Sequence, residues 1–304
     1  IRDRSPSRGL GDVYKRQIYN YRELRRQLEL TGTHFQTSGD TEVLLHGYAT
    51  WGEAVLDRLE GMFAFVIVDR FTRTVTAARD PFGIKPLYMC RHGELVGFAS
   101  EARPLRRLKD HGADVAAMSE LLLFRFAAGR LSNFVGIDRI LPGSVIRTGL
   151  NRQHYSECRY NDILDTLAAP RTTLNKNILV ENTNAILEKS VKHHTASDVG
   201  YAVQLSGGVD SSLIAHIVKS ISPEDVHSFG LYLGNNQHDE RPYREFVVEK
   251  TGLIHHEITV TGNLFADAFP RAVHHMEGPS PHLGCILLMV LCDTVRSTTK
   301  VILT

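Results

Sequence analysis

Residues 205–212 read Leu205-Ser206-Gly207-Gly208-Val209-Asp210-Ser211-Ser212, between an apolar run that ends at Leu205 and an amphipathic stretch that begins at Ser211. Two adjacent glycines let a backbone turn sharply and bare its N–H groups, and a helix starting at the turn adds the positive end of its dipole. A phosphate or pyrophosphate group is the natural guest, and Ser206, Ser211 and Ser212 add hydroxyl donors. Asp210 is a poor neighbour for phosphate but a suitable ligand for Mg2+, a hard cation that commonly bridges a carboxylate and phosphate oxygens. The plain alternative is a strand–turn–helix connection whose serines cap the helix. It is the full string, rather than the glycine pair, that favours a Mg-nucleotide loop. Neither G-x-x-x-x-G-K-S/T nor a G-x-G-x-x-G after a strand occurs in the chain, which argues against a Walker ATPase and a dinucleotide dehydrogenase.

Outward from this loop the pattern alternates. Helices are predicted over 178–192, 211–220, near 243–251 and over 289–296, and strands over 201–205, 226–233, 257–260 and 301–304. Alternation at that spacing implies βαβ units and a parallel sheet covered on both faces. Toward the start the character changes. Helical spacing at 21–28 and 40–45 is followed by strand-like runs at 63–69, 74–78, 86–89 and 96–99, then a turn at Pro142-Gly143 and a closing strand, which together favour an antiparallel sheet with helices packed on it. Residues 161–177 lack an apolar stripe, contain Pro170 and read as a linker between domains 18–160 and 178–304. Residues 1–17 carry Arg2, Arg4, Arg8, Lys15 and Arg16 without periodicity and read as a disordered or non-native leader. With Ile1 first and an apolar strand last, both ends have the look of cuts.

The bulk chemistry narrows the field. The 304 residues carry 35 Lys+Arg against 34 Asp+Glu, too balanced for a chain whose main partner is a nucleic-acid backbone. The longest apolar run, Gly284 to Cys292, spans nine residues, half of the ~18 that suggest a membrane span. A cytoplasmic protein with no membrane partner is the expectation. Cys90, Cys158, Cys285 and Cys292 show no C-x-x-C spacing and read as reduced thiols. The tandem pairs His193-His194, His255-His256 and His274-His275 are poorly placed to share one ion, since neighbours on a strand face opposite ways. Arg103, Arg106, Arg107 and Lys109 read as a solvated basic face.

Ser206 to Ser212 resembles the pyrophosphate loop of the ATP pyrophosphatases, which activate a carboxylate or carbonyl by adenylation. The first half is similar to the class II glutamine amidotransferase domain in Ile18-Tyr19-Asn20-Tyr21, Ser38-Gly39-Asp40-Thr41-Glu42, Leu59 to Phe65, Ala78 to Tyr88 and Phe98-Ala99-Ser100-Glu101. The two in this order resemble the layout of the glutamine-hydrolysing asparagine synthetase family, from about Ile18 to Thr304. The implied fold is α/β: an antiparallel αββα amidotransferase domain of the Ntn type, followed by an ATP-pyrophosphatase domain with a parallel, Rossmann-like sheet.

The resemblance implies that the first domain releases ammonia from glutamine and the second makes an acyl-adenylate of aspartate with ATP and Mg2+, giving asparagine, glutamate, AMP and pyrophosphate. It implies Gly39 and Asp40 for glutamine, Asp40 holding the α-ammonium; a plain N-cap role for Asp40 is the lesser alternative, and the two roles can coexist. It implies ATP at Leu205, Ser206, Gly207, Gly208, Asp210, Ser211, Ser212 and Leu231, with Asp210 holding the metal; taken singly, the two leucines read as strand core. Arg79-Asp80 and Gly83 to Tyr88 read as framework, the first two as an ion pair. Two departures stand out. The family's glutaminase uses an N-terminal cysteine, and here no cysteine precedes Cys90; the family's Gly-Glu-Gly-x-Asp-Glu loop would follow Thr304. This stretch by itself is therefore expected to perform neither half-reaction well. For the acceptor, the family segment aligns with His274 to Gly284, which contains Glu277 but no arginine. Aspartate is the first expectation; another carboxylate, a β-lactam-forming reaction, or a non-catalytic nucleotide-binding remnant are the alternatives, and a homodimer is compatible with all of them.

Overall fold

The computed structural model describes residues 16–304 apart from 94, 109–111, 151–154, 169–174, 196–199, 223, 235–238 and 281. The chain divides into two compact units, residues 1–171 and 172–304.

The first unit runs β1 (Arg16–Ile18), α1 (Tyr21–Leu30), α2 (Asp40–Trp51), β2 (Gly61–Asp69), β3 (Thr74–Arg79), β4 (Tyr88–His92), β5 (Leu95–Ala99), α3 (Ala102–Leu105), α4 (Val115–Phe124), β6 (Ile137–Arg139), β7 (Ser144–Gly149), β8 (Tyr155–Arg159) and α5 (Ile163–Ala168). Its strands form two antiparallel sheets, ordered β1-β2-β3-β7-β8 and β5-β4-β6. Side-chain alternation sets the layers. Phe63, Phe65, Ala78 and Val145 meet Leu24 and Leu28 of α1 and Val43 and Leu44 of α2 on one face. Ala77 and Ile146, one residue out of phase, meet Leu87 and Met89 between the sheets. Cys90, again out of phase, packs with Ala102 and Leu105 of α3 on the far side. The period of two thus turns each strand into a two-sided spacer, and the layers are helix, sheet, sheet, helix.

The second unit runs α6 (Lys176–Thr195), β9 (Tyr201–Gln204), α7 (Val209–Ile221), β10 (His227–Tyr232), α8 (Arg241–Thr251), β11 (Ile254–Thr259), α9 (Gly262–Met276), α10 (Gly284–Val295) and β12 (Val301–Leu303). Its sheet is parallel, ordered β11-β10-β9-β12. Residues of α6, α7 and α8 cover one face through Val191, Ala215, Val218 and Val248, and α9 and α10 cover the other through Ala268, Ala272, Ile286 and Leu291. The strand order reverses at β9: β10 and β11 extend the sheet to one side, and β12 returns to the other. Ligands of open α/β sheets bind outside the carboxyl ends of the strands at such a point.

Several sequence expectations change. Arg16 and Gln17, placed in the leader, form β1 opposite Phe63 and Met62; their tie is backbone pairing, which leaves no side-chain pattern to read. Residues 1–15 lie outside the described residues. The stretch read as a linker carries α5 and the start of α6. Helix α9 was not expected, because Pro270 sits inside it and disguises an otherwise amphipathic run. Arg79 and Asp80, expected to pair, instead each take backbone partners. The Arg79 guanidinium donates to the carbonyls of Gly83, Lys85 and Ile140. Asp80, fully buried, accepts from the N–H groups of Phe82, Ile84 and Lys85 at 3.1, 2.9 and 3.0 Å. The Asp-Pro-Phe-Gly-Ile-Lys turn is wound around these two charges. Burial lowers the affinity of Arg79 and Lys85 for their protons, and the nearby Asp80 carboxylate opposes it.

Removing this hub should be costly. Asp80→Ala strands three part-buried backbone donors and is expected to destabilise the first unit by roughly 3 kcal/mol, read as a shift of its urea-unfolding midpoint, whereas Asp80→Asn, which retains one acceptor oxygen, loses less.

Candidate functional site

The loop singled out in the sequence leaves the carboxyl end of β9 and enters α7, whose N-cap is Gly208 in an extended conformation. Gly207 has φ +104°, and a Cβ there would lie 2.6 Å from the Glu240 carbonyl oxygen and 3.3 Å from the Arg244 nitrogen. Only a residue without a side chain lets the turn rest on the first turn of α8. The serines finish the shape. The Ser206 and Ser211 hydroxyl oxygens are 2.9 Å apart, the Gly208 N–H donates to the Ser206 hydroxyl at 3.2 Å, and the Ser211 and Ser212 hydroxyls donate to the Gly208 carbonyl at 3.1 and 2.7 Å. The serines do not cap the helix as considered from sequence: Gly208 is the N-cap and has no side-chain cap hydrogen bond, and the serine hydroxyls instead tie the turn to the Gly208 backbone and to one another. Asp210 stands exposed in the first turn of α7 and has no hydrogen bond or ion pair among the described residues.

Beside the loop lies a cavity of about 240 Å3, lined among others by Leu205, Ser206, Leu231, Tyr232 and Arg244. Leu205 is buried and Leu231 half-buried; both belong to the core, as their strand pattern suggests, and both line the cavity. At its rim Asp239 accepts from Arg241 at 2.6–3.0 Å, and the Arg241 guanidinium lies 3.7 Å from the centre of the Tyr232 ring. The Arg241 hydrogen bonds hold the Asp239 carboxyl below its usual range. Beneath, Arg244 donates to the Leu231 carbonyl at 3.1 Å and to Glu257 at 2.9 Å. His255 accepts or donates at the Ser228 hydroxyl, 2.9 Å away, and burial, reinforced by the Arg244 charge, lowers its pKa to about 4. Its neighbour His256 faces the opposite side of the sheet, against His227 and Phe229. None of Asp239, Arg241, Arg244 and Glu257 was singled out from sequence. Asp239, Glu240 and Arg241 form a charged run, the ordinary mark of a solvated helix start.

In the first unit Gly39 is the N-cap of α2 and Asp40 its first helical residue, so Asp40 is not the cap. One Asp40 oxygen accepts from the Ile18 N–H at 3.4 Å, tying α2 to β1. The turn before it is organised by Glu42, whose carboxylate accepts from the Gln36 and Thr37 N–H groups and the Thr37 hydroxyl at 2.6–2.7 Å. Asn20 clamps the entry of α1, donating to the Arg58 carbonyl at 2.7 Å and accepting from the Glu60 N–H at 3.0 Å. Cys90 is buried in the core under α3. Glu277, within the segment considered for the acceptor, closes α9 with φ +60°; Arg271, one turn before the helix ends, pairs with Asp293 of α10 at 2.7 Å.

An αββα unit followed by a parallel-sheet unit with a tight glycine–serine turn at the carboxyl end of its central strand is the layout of an amidotransferase domain joined to a synthetase domain. Residues 6–161 match the family described as "Glutamine amidotransferase domain", and residues 182–304 the family described as "Asparagine synthase". A "Putative asparagine synthetase [glutamine-hydrolyzing]" of Mycobacterium tuberculosis is 31% identical over 297 residues, covering 96% of this chain and 45% of that protein. "Asparagine synthetase [glutamine-hydrolyzing] 1" of Bacillus subtilis is 29% identical over 292 residues, with the same coverage of 96% and 45%. "Asparagine synthetase [glutamine-hydrolyzing] 2" of Oryza sativa subsp. japonica is 31% identical over 273 residues, 86% of this chain and 40% of that protein. The chain belongs to the glutamine-hydrolysing asparagine synthetase family and spans a little under half the length of these relatives. No helix among the described residues is long and apolar enough to cross a membrane.

The Glu42 turn carries a pH signature. Burial pushes its carboxyl up, but the hydrogen bonds from Thr37 and Gln36 and the neighbouring His46 outweigh it and bring its pKa from 4.5 to about 2. A depressed carboxyl contributes its stabilisation fully above its unfolded value and loses it as the pH falls through the folded one. The Gln36 and Thr37 amide signals are expected to hold their neutral-pH shifts to below pH 4 and move with a midpoint near 2, and Glu42→Gln should abolish that transition.

Proposed function

We propose that this chain supplies the glutamine-binding and ATP-binding units of a glutamine-dependent amide synthesis, asparagine formation first among the alternatives. In the reaction an aspartate side-chain carboxylate attacks the α-phosphorus of ATP and expels pyrophosphate; ammonia released from glutamine then attacks the acyl carbon, expelling AMP and losing a proton. The observation that carries the reading is the conjunction, within one unit, of the Ser206–Ser212 turn, the free Asp210 carboxylate and the adjoining cavity at the carboxyl ends of β9 and β10. Leu205 and Leu231 are assigned to the nucleoside, and Ser206, Gly207, Gly208, Ser211 and Ser212 to the phosphates. Asp210 is assigned to Mg2+. An exposed carboxylate without a protein partner suits a hard cation. The described residues contain no group of three or more His, Cys, Asp or Glu able to bind a metal, so the remaining ligands would be phosphate oxygens and water. Bound there, the metal would neutralise phosphate charge.

Gly39 and Asp40 are assigned to glutamine, the Asp40 carboxylate pairing with the α-ammonium at the start of α2. No glutaminase nucleophile is assigned among the described residues, since Cys90 is enclosed by the core.

Titration of the chain with Mg·ATP tests the reading. Saturable binding is expected. Asp210→Asn should weaken it about tenfold or more with Mg2+ present and have little effect on ATP alone. Gly207→Ala, which forces a Cβ against the Glu240 carbonyl, should weaken both. A chain that binds no ATP overturns the assignment. Exchange of labelled pyrophosphate into ATP by a full-length version, responding to aspartate and not to glutamate, is the measurement that separates asparagine formation from amidation of another carboxylate.

A further inference from the structure

We propose that Arg244 is a positioning residue that takes the place of a missing strand at the mouth of the nucleotide cavity and holds its nucleoside wall open. The inference rests on the ATP reading above and adds to it a residue that makes no contact with the phosphates.

Strand β9 stops at Gln204, opposite Phe229, while β10 runs on to Tyr232. Alternate residues of β10 turn their backbone groups to opposite neighbours. Ile254 and Val260 donate to the carbonyls of Val226 and Tyr232 on the β11 side, whereas Phe229 accepts from Leu205 on the β9 side. Leu231, two residues beyond Phe229, faces the same way, but β9 ends at Gln204 and the chain turns off at Ser206 into the phosphate loop. The position where a further strand residue would donate is taken by the Arg244 guanidinium, which gives one N–H to the Leu231 carbonyl and another to Glu257 of β11. A sheet edge without such a donor would leave a half-buried carbonyl unpaired, at a cost of about 1–3 kcal/mol, or collapse onto the loop.

The surroundings are shaped for this side chain. Arg244 is 2% exposed. It lies flat on Gly230, where a Cβ would come within 2.3 Å of Nη1 and 2.8 Å of Cδ. Its charge is balanced by Glu257, directly across from Gly230 in the β10–β11 register. Its own backbone nitrogen stands 3.3 Å from the point a Gly207 Cβ would occupy, so one residue meets the phosphate loop through its backbone and the nucleoside wall through its side chain. Arg244 also lines the cavity itself. The side chain therefore governs the nucleoside end, and the phosphate end is held by main chain that a substitution leaves in place.

That division supplies a readout that general destabilisation would not reproduce. The variants are Arg244→Met, Arg244→Lys, which keeps the charge beside Glu257 but lacks the fork, and Gly230→Ala, which displaces the guanidinium without removing it. Binding of Mg·ATP is measured directly, and Mg·tripolyphosphate is measured by displacement of a fluorescent ATP analogue. Each variant is expected to bind ATP about tenfold more weakly, the loss of one charge-assisted hydrogen bond, while tripolyphosphate affinity changes less than about twofold. Unchanged ATP affinity, or ATP and tripolyphosphate weakening together, overturns the inference. Should Arg244→Met fail to fold by circular dichroism, the same ratio in Arg244→Lys and Gly230→Ala decides. An unsubstituted chain that binds neither ligand, or ATP but not tripolyphosphate, overturns the phosphate-loop reading instead, which keeps the two failures apart.

Discussion

The approach of the Gly207 main chain to the first turn of α8 is the contact on which the second unit's site depends. A turn with φ +104°, lying where a Cβ would touch the Glu240 carbonyl, cannot shift outward without opening the seam between α7 and α8, nor inward without a clash. The other features follow from it. Ser206 and Ser211 can meet because the turn is this tight, α7 can begin at once with its N–H groups bare, and the space beside β9 stays free because the chain has already turned away. The reversal of strand order at β9 puts that space at the carboxyl edge of the sheet, where neighbouring connections diverge and leave a crevice.

Both units secure such turns with a buried charge that binds backbone groups, joined in the second unit by the Glu257 carboxylate. In the first, Arg79 and Asp80 bind the carbonyls and N–H groups of residues 82–85 and 140; in the second, Arg244 binds the Leu231 carbonyl. Burying an ion costs several kcal/mol, which is recovered only when hydrogen bonds satisfy the whole group. Backbone partners suit this purpose, because they are fixed by the sheet from which the turn emerges. Burial together with the Asp80 charge also raises the pKa of Tyr19 and Tyr160, the latter donating to the Arg79 carbonyl at 2.9 Å, so the hub extends to the strand ends around it.

What could be read in advance and what could not divides along physical lines. Strand β2 and the helices α1, α7 and α8 are legible because their burial follows the period of their own geometry, and the tight turn after β9 is legible from the whole Ser206–Ser212 string rather than from its glycine pair. Helix α9 is hidden by Pro270, and β1 by its length, since three residues, of which Ile18 alone enters the core, leave no period to read. Arg244 is hidden for a different reason. It belongs to an arginine-rich helix start, and nothing in the sequence distinguishes it from Arg241, which lies at the surface over Tyr232. The difference is made by Gly230, remote in sequence, whose missing side chain creates the slot. A glycine inside an apolar strand is a signal, since it weakens the strand unless another group approaches closely; it shows that a slot exists but not what fills it.

The two acidic residues at helix starts show how one local motif is set to different tasks. Asp40 opens α2 and Asp210 lies in the first turn of α7, where the helix dipole favours a negative charge in either case. One Asp40 oxygen is tied to the Ile18 N–H, which under the proposed reading would help to orient the carboxylate for an ammonium group. Asp210 has no such anchor among the described residues, and a single exposed carboxylate is a weak site for a divalent cation on its own. Under the proposed reading the metal must therefore draw most of its ligands from the nucleotide. Metal and nucleotide binding are then linked: each supplies what the other lacks, and linkage makes the gain in affinity equal in both directions. An Asp210 already paired with a protein cation would have to break that pair before contributing to either, so leaving it unpartnered serves the coupling.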